Sequence, residues 1–258
     1  DKAITLLQSY GVKTVELGVQ SMNDGILVDA KRGHTAQEVV EAVARLKQRG
    51  MTVGVQLLPG LKGETWESIL ETAIAVVKLK PDFVRIYPVL VIENTELADQ
   101  YRAGEYEPLS TEQAITYCAF LKDWFERHNI EVIRTGLQST EELDSGNSLV
   151  AGPYEPAMGE LVVNEQYKQR IERCINEHIE SFINKELSQW NIWGQANTFI
   201  ALNIGVFYPR SLTSKVRGLK NRNMLYFQEK YPHINFNWYE DSTRNTVRCC
   251  IDGLQYVL

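Results

Sequence analysis

Apolar residues recur along the first ninety positions with two periods that take turns. At 14–19, TVELGV sets Val15, Leu17 and Val19 against Glu16 and Gly18, an alternation that predicts a strand. From Thr35 the period lengthens. Thr35-x-x-Glu38 fits a capping box, Val39, Val43 and Leu46 fall on one helical face, and Gly50 ends the run. MTVGVQLL at 51–58 is a short, Val-rich apolar stretch that reads as a buried parallel strand. A second helix is predicted over 64–79, with Ile69, Ala73 and Val76 on one face; Pro81 breaks it, and DFVRIYP at 82–88 supplies a third strand. Strand, helix, strand, helix, strand is the grammar of a parallel sheet or barrel.

The pattern loosens at 89–108, which reads as a loop with a short helical piece. Ser110-x-x-Gln113 opens another helix, to about His128, with Ile115, Cys118, Leu121 and Phe125 as its buried stripe. A strand follows at 130–134, then a polar, acidic loop at 137–149. GPYEP at 152–156 looks like a boundary. Beyond it, 157–188 is helical, TFIALNIGVF at 198–207 is an apolar strand, 211–231 holds a helix, and strands lie near 234–240 and 246–251. The expected fold is therefore α/β over 1–151 and a small α+β domain over 152–258.

Composition adds limits. Hydrophobic content of 44% and charged content of 23% are ordinary for a soluble chain, and no apolar run reaches the length of a membrane-spanning helix. Cys118, Cys174, Cys249 and Cys250 show no metal-binding spacing, which points to reduced thiols and a cytoplasmic location. Four scattered histidines disfavour a metal hydrolase. No nucleophile elbow, phosphate-binding loop or G-x-G-x-x-G appears. The opening DKAITLLQSYG starts with Asp inside a helix-like pattern, so an upstream portion is expected to be missing. Charge is uneven: residues 1–150 carry net −7, residues 151–258 net +1, and 210–230 a local +5. Such a basic island in an acidic protein suits phosphate or a solvated surface.

Candidate chemistry sits at the strand tips. Gln20 and Ser21 follow the first strand, and Lys31, Arg32, Gly33 and His34 come just before the next helix. Ligands of parallel sheets gather at carboxyl ends of strands. A glutamine and an arginine there suit a ligand with hydroxyls and a carboxylate, although a solvated loop with a capping Thr would look the same. ELGVQS (16–21), RGHT (32–35), LLPGLKGET (57–65), RIYPVLVIENTEL (85–97), YRAGEYEPLS (101–110), IEVIRTGLQST (130–140) and GPYEPAMGELV (152–162) resemble, in order, the C-terminal half of a radical SAM barrel of the Elongator catalytic-subunit type, in the bacterial short form without an acetyltransferase domain. That resemblance implies the second half of a (β/α)6 partial barrel, S-adenosylmethionine and a [4Fe-4S] cluster, and reductive cleavage to a 5′-deoxyadenosyl radical. By motif, Gln20 and Arg32 match positions contacting the ribose and methionyl parts of the cofactor, and Gln56 is a weaker match nearby. Tyr87, Pro88 and Val89 match a segment lying along the adenine, and Gly60 would let backbone approach the ligand or simply close a βα turn.

The resemblance is broken at one point. The cluster needs a C-x3-C-x2-C triplet that this sequence lacks, so the chain is expected to be a piece, inactive alone. The first strand would then be an open edge, which a second copy is expected to cover. RSLTSKVRGLKNRNMLYFQEKYPHINFNWYED (210–241) faintly resembles a KH-type RNA-binding unit, with Gly218 present in its loop and Asn221 where a second glycine belongs. Arg210, Lys215, Arg217, Lys220 and Arg222 are its candidate contacts for tRNA or other RNA. Two function classes stay open: part of a radical SAM enzyme, or a noncatalytic RNA- or protein-binding module on a barrel scaffold.

Overall fold

The computed structural model describes residues 2–138, 140–144, 146, 148–189 and 202–258. They form two compact units, Asp1–Val162 and Val163–Leu258. In chain order the first unit contains α1 (Lys2–Ser9), β1 (Thr14–Gln20), α2 (Asp24–Asp29), α3 (Ala36–Gln48), β2 (Thr52–Leu57), α4 (Trp66–Leu79), β3 (Phe83–Ile86), β4 (Val91–Ile92), α5 (Glu96–Arg102), α6 (Thr111–Arg127), β5 (Glu131–Thr135), α7 (Glu141–Asp144), β6 (Leu149–Ala151) and the start of α8 (Met158–Gln189). Strands β1, β2, β3 and β5 lie side by side in that order and every pair is parallel.

The helix starts follow the sequence. Thr35 and Ser110 both close capping boxes, satisfying amide groups that the first helical turn leaves without intrahelical partners. Thr65 does the same through Ser68, a serine-for-glutamate variant of that box. One face of the sheet is apolar: Val53, Val55, Leu57, Val84 and Ile86 are sealed against Val39, Val43, Ile69, Ala73, Val76, Leu121 and Phe125 of α3, α4 and α6. Burying each such side chain stabilises by about 1.5–3 kcal/mol, so this face organises the unit. Cys118 belongs to the same core and is fully buried. The expected loop at 89–108 and the polar stretch at 137–149 instead contribute β4 and β6, an antiparallel pair of two and three residues. Such short strands leave no alternation to read.

The second unit continues α8 and adds β7 (Asn203–Tyr208), α9 (Thr213–Arg217), α10 (Arg222–Lys230), β8 (Asn235–Glu240), β9 (Arg248–Ile251) and β10 (Leu254–Val257). The sheet order is β10-β9-β7-β8; β7 and β8 are parallel, the other neighbours antiparallel. Part of the expected strand at 198–207 lies outside the described residues. Ile171 and Ile175 of α8, Val216 of α9 and Phe227 of α10 seal one sheet face through Ile204, Val206, Tyr208, Cys249 and Ile251. Among the described residues, no helix is long and apolar enough to cross a membrane.

Candidate cofactor site at the strand tips

The other face of the first sheet carries the polar positions of the strands. In β1 these are Glu16, Gly18 and Gln20; in β2, Gly54 and Gln56; in β3, Phe83 and Arg85, followed by Tyr87. Partner registers Gly18↔Gln56 and Gln56↔Arg85 put them in rows. Glu16 pairs with Arg85, Oε2 to Nε 3.0 Å, and Arg85 Nη1 donates to the Tyr87 hydroxyl at 3.0 Å. The ring of Phe83 lies over Gly54, where a Cβ would overlap it.

Gln20 has a special place in this array. The register shifts between Gly18 and Gln20, a bulge, and Gln20 takes φ +67, a left-handed conformation that costs a non-glycine residue about 1–3 kcal/mol. It is buried, and its Oε1 accepts from Gln56 Nε2 at 3.4 Å. The space over Gly18 is where Gln20 and Arg32 meet. A Cβ on Gly18 would stand 2.5 Å from Gln20 Nε2 and 3.6 Å from Arg32 Nη2. The strand tip and the loop after α2 thus converge on one spot, although eleven residues of chain intervene. Arg32 is exposed and its guanidinium has no carboxylate partner among the described residues. His34 ties the arginine's loop to β1, its Nδ1 3.3 Å from the Arg32 carbonyl and its Nε2 3.3 Å from that of Val19. The donor set fits a ligand with a carboxylate for Arg32 and hydroxyls for the two glutamine amides.

Gly60 sits one turn further along, with φ +99. Its N–H donates to Glu64 Oε2 at 2.6 Å and its carbonyl accepts from the Tyr106 hydroxyl at 2.6 Å. A Cβ there would meet Leu109 Cδ1 at 3.0 Å, so this glycine lets the turn pack tightly. Burial pushes the Glu64 carboxyl up to about 7 against the lowering effect of the Gly60 and Leu61 N–H groups. Burial likewise raises Tyr106, to about 12, with the charge of Glu64 acting in the same direction. Tyr87 and Val89 spend their N–H groups on the carbonyls of Leu57 and Pro59, both at 2.9 Å. A ligand along Tyr87, Pro88 and Val89 therefore meets carbonyls and side chains. Val89 itself is buried against Val91, Ala98 and Tyr106.

The thiols do not fit an iron–sulfur cluster. Cys118 is in the first unit's core, Cys174 and Cys249 are in the second unit's, and burial raises all three. Cys250 is the outward neighbour of Cys249 on β9. No group of three metal-ligating side chains exists among the described residues. In the basic island, Arg210, Lys215, Lys220 and Arg222 are exposed, whereas Arg217 hydrogen-bonds the buried Tyr208 hydroxyl with its Nε. Glu16, Arg85, Glu64 and Tyr106 are polar groups of this region that the sequence reading passed over. The signal for the first two was present: polar residues at alternate positions of β1 and β3, in TVELGVQ and DFVRIYP.

A parallel α/β sheet with a polar row ending in a glutamine and an arginine at its carboxyl tips defines a class, and comparison with known proteins gives it a family. The sequence profile of the Radical SAM superfamily matches residues 1–75, and that of the Radical_SAM C-terminal domain matches 81–169. The chain is a radical SAM protein. Within that superfamily it belongs with the Elongator catalytic-subunit-like proteins. It is 34% identical over 179 residues to a tRNA uridine(34) acetyltransferase of Methanocaldococcus jannaschii, covering 68% of this chain and 32% of that protein. It is 33% identical over 104 residues to Elongator complex protein 3 of Danio rerio, covering 39% of this chain and 19% of that one. The solved structure of Methanocaldococcus infernus Elp3 with an N-terminal deletion superposes with TM-score 0.57 at 32% identity, over 66% of this chain and 39% of that chain. The chain thus spans about a third of the length of the two archaeal tRNA uridine(34) acetyltransferases it matches.

Proposed function

We propose that the chain is the S-adenosylmethionine-holding part of a radical SAM enzyme that acts on RNA, a tRNA in particular. One observation carries this reading: the Gln20 amide and the unpaired Arg32 guanidinium converge over Gly18. Arg32 holds the methionyl carboxylate, Gln20 and Gln56 the ribose hydroxyls, and the Tyr87–Val89 segment lines the adenine through carbonyl and apolar contacts, with Gly60 shaping the turn beside it. When bound and reduced by one electron, S-adenosylmethionine supplies a 5′-deoxyadenosyl radical and methionine. The chain's own residues bind and orient; they do not deliver the electron. The thiolates for a cluster come from outside the described residues, and this chain alone does not cleave the cofactor. Anaerobic reconstitution with iron and sulfide is expected to give no cluster absorption at about 400 nm. A stable cluster spectrum would contradict this. Equilibrium dialysis should show S-adenosylmethionine bound by the wild-type chain and lost in Arg32→Ala.

RNA as substrate is supported by the archaeal relatives, which are tRNA uridine(34) acetyltransferases. The island adds to it: Gly218 at φ +75 and Asn221 at φ +61 sit three apart between α9 and α10, with Asn at the second position supplying the left-handed backbone for which glycine is the usual residue. The barrel portion, expected over residues 1–151, extends to Val162, and the unit that follows brings Arg210, Lys215, Lys220 and Arg222 to phosphates, with Arg217 holding the loop. A tRNA titration should show affinity falling steeply with salt, and no binding at low salt would end this reading. The outer edge of β1, beside a cleft of about 360 Å³ lined by Leu17, His34, Val39 and Ala42, is covered by a second copy in the cytoplasm. Light scattering on a monomer at high concentration would refute that pairing.

A further inference from the structure

Among the described residues, the second unit has a sheet face that its helices leave uncovered. Its outward positions carry no Asp or Glu, in a chain of net charge −6. Phe207 of β7 and Tyr239 of β8 are register partners and stack, ring centroids 4.9 Å apart at 22°. A Cβ on Gly205 would meet the Phe207 ring at 2.8 Å, so the absence of a side chain there lets the ring lie down against the sheet. The Arg248 guanidinium of β9 lies 5.6 Å from the centre of the same ring, held by Asp241. Phe207 is thus flanked by a second ring on one side and a cation on the other, and Tyr239 is 47% exposed.

At the other end of the same two strands, Asn235 Nδ2 donates to Asn203 Oδ1 at 3.2 Å. That bond leaves an amide donor on Asn203 and a carbonyl acceptor on Asn235 facing outward, with Asn237 between them and the rings. Four residue steps along the strand take the amides to the rings, about 13 Å. Arg210 and Arg244 lie in the segments that follow β7 and β8, at the aromatic end.

We propose that this face is a platform for a single-stranded RNA segment: one or two bases stack on Tyr239 and Phe207, a further base edge meets the Asn203–Asn235 amide pair, and Arg210 and Arg244 meet phosphates. Flat rings on an open sheet accept any base, the asparagines give donor and acceptor to its edge, and the exposed arginines, with Asp241 neutralised by Arg248, complement a polyanion. The proposal rests on the RNA reading above and shares Arg210 with the basic island, while its rings and amides lie on the sheet face of β7 and β8.

The test uses the full chain and a fluorescein-labelled twelve-nucleotide single-stranded RNA of mixed sequence, followed by anisotropy. Tyr239→Ala is expected to weaken binding about tenfold with the salt slope unchanged, and Tyr239→Phe to stay within about twofold. Tyr239 is the ring to change because it is the more exposed of the pair. Wild-type binding with unaltered affinity in Tyr239→Ala overturns the platform and leaves the RNA reading standing. Absence of any oligonucleotide or tRNA binding by the wild type removes both. Dimerisation of the wild type that Tyr239→Ala abolishes also overturns the platform, assigning the face to a second copy instead.

Discussion

Gly18→Ala separates the site from the fold because the two should move in opposite directions. Gly18 lies in ordinary strand backbone, paired with Gln56, and it is not among the glycines with positive φ. Glycine within a strand is destabilising by about 0.5–1 kcal/mol relative to alanine, so folding should tolerate or welcome the change. The new methyl would stand 2.5 Å from Gln20 Nε2, closer than real Cβ contacts come, while 3.6 Å to Arg32 Nη2 is ordinary contact. The glutamine amide must therefore swing away and the arginine can stay. Losing one neutral hydrogen bond to a ligand weakens binding by about 0.5–1.5 kcal/mol, roughly twofold to tenfold in Kd. Isothermal titration with S-adenosylmethionine should show that loss, and urea denaturation should show a midpoint equal to or above wild type. Unchanged cofactor affinity in a folded Gly18→Ala variant would refute the placement of the ligand over this strand tip.

The turn at Gly60 predicts a pH dependence. Glu64 has its carboxyl raised from 4.5 to about 7 in the folded chain, so the folded state holds the proton longer than the unfolded one. Its contribution to stability is complete below pH 4.5 and is lost as pH rises through 7, a decline of about 3 kcal/mol that Glu64→Gln should flatten in denaturation curves. Tyr106→Phe deletes the hydroxyl that reaches the Gly60 carbonyl and should destabilise by about 1–2 kcal/mol in the same assay, with the pH decline retained. In the second unit, buried Asn164 accepts from the Leu219 N–H at 3.0 Å and donates to the carbonyls of Ser214 and Lys215. Asn164→Ala should cost about 2 kcal/mol and speed hydrogen exchange at Leu219.

Much of the first sheet was legible because each signal was local and agreed with its neighbours. Thr35 and Ser110 are capping residues three positions from a Glu or Gln, Val39/Val43/Leu46 mark a helix face, and Pro81 ends α4. The site was legible only in part. Gln20 and Arg32 stand out as polar residues after a strand and before a helix, but their convergence depends on the bulge at β1 and on His34 fastening the loop, which no spacing announces. Gln56 came forward only through the family motif, and Gly54 was hidden inside a stretch read as buried on both faces, because Phe83 closes over Gly54 from the next strand. The Phe207–Tyr239 stack is likewise a cross-strand fact, made by the parallel pairing of β7 with β8 across a connection of 26 residues. Period and capping report on one element at a time; a site assembled from neighbouring strands needs the register.

A crystal structure of the chain grown with S-adenosylmethionine is the most direct check on the central claim. Adenosyl density over Gly18, with the methionyl carboxylate on Arg32 and the ribose on Gln20, is the predicted result. Density elsewhere, or an empty tip with Gln20 still bonded only to Gln56, would contradict it.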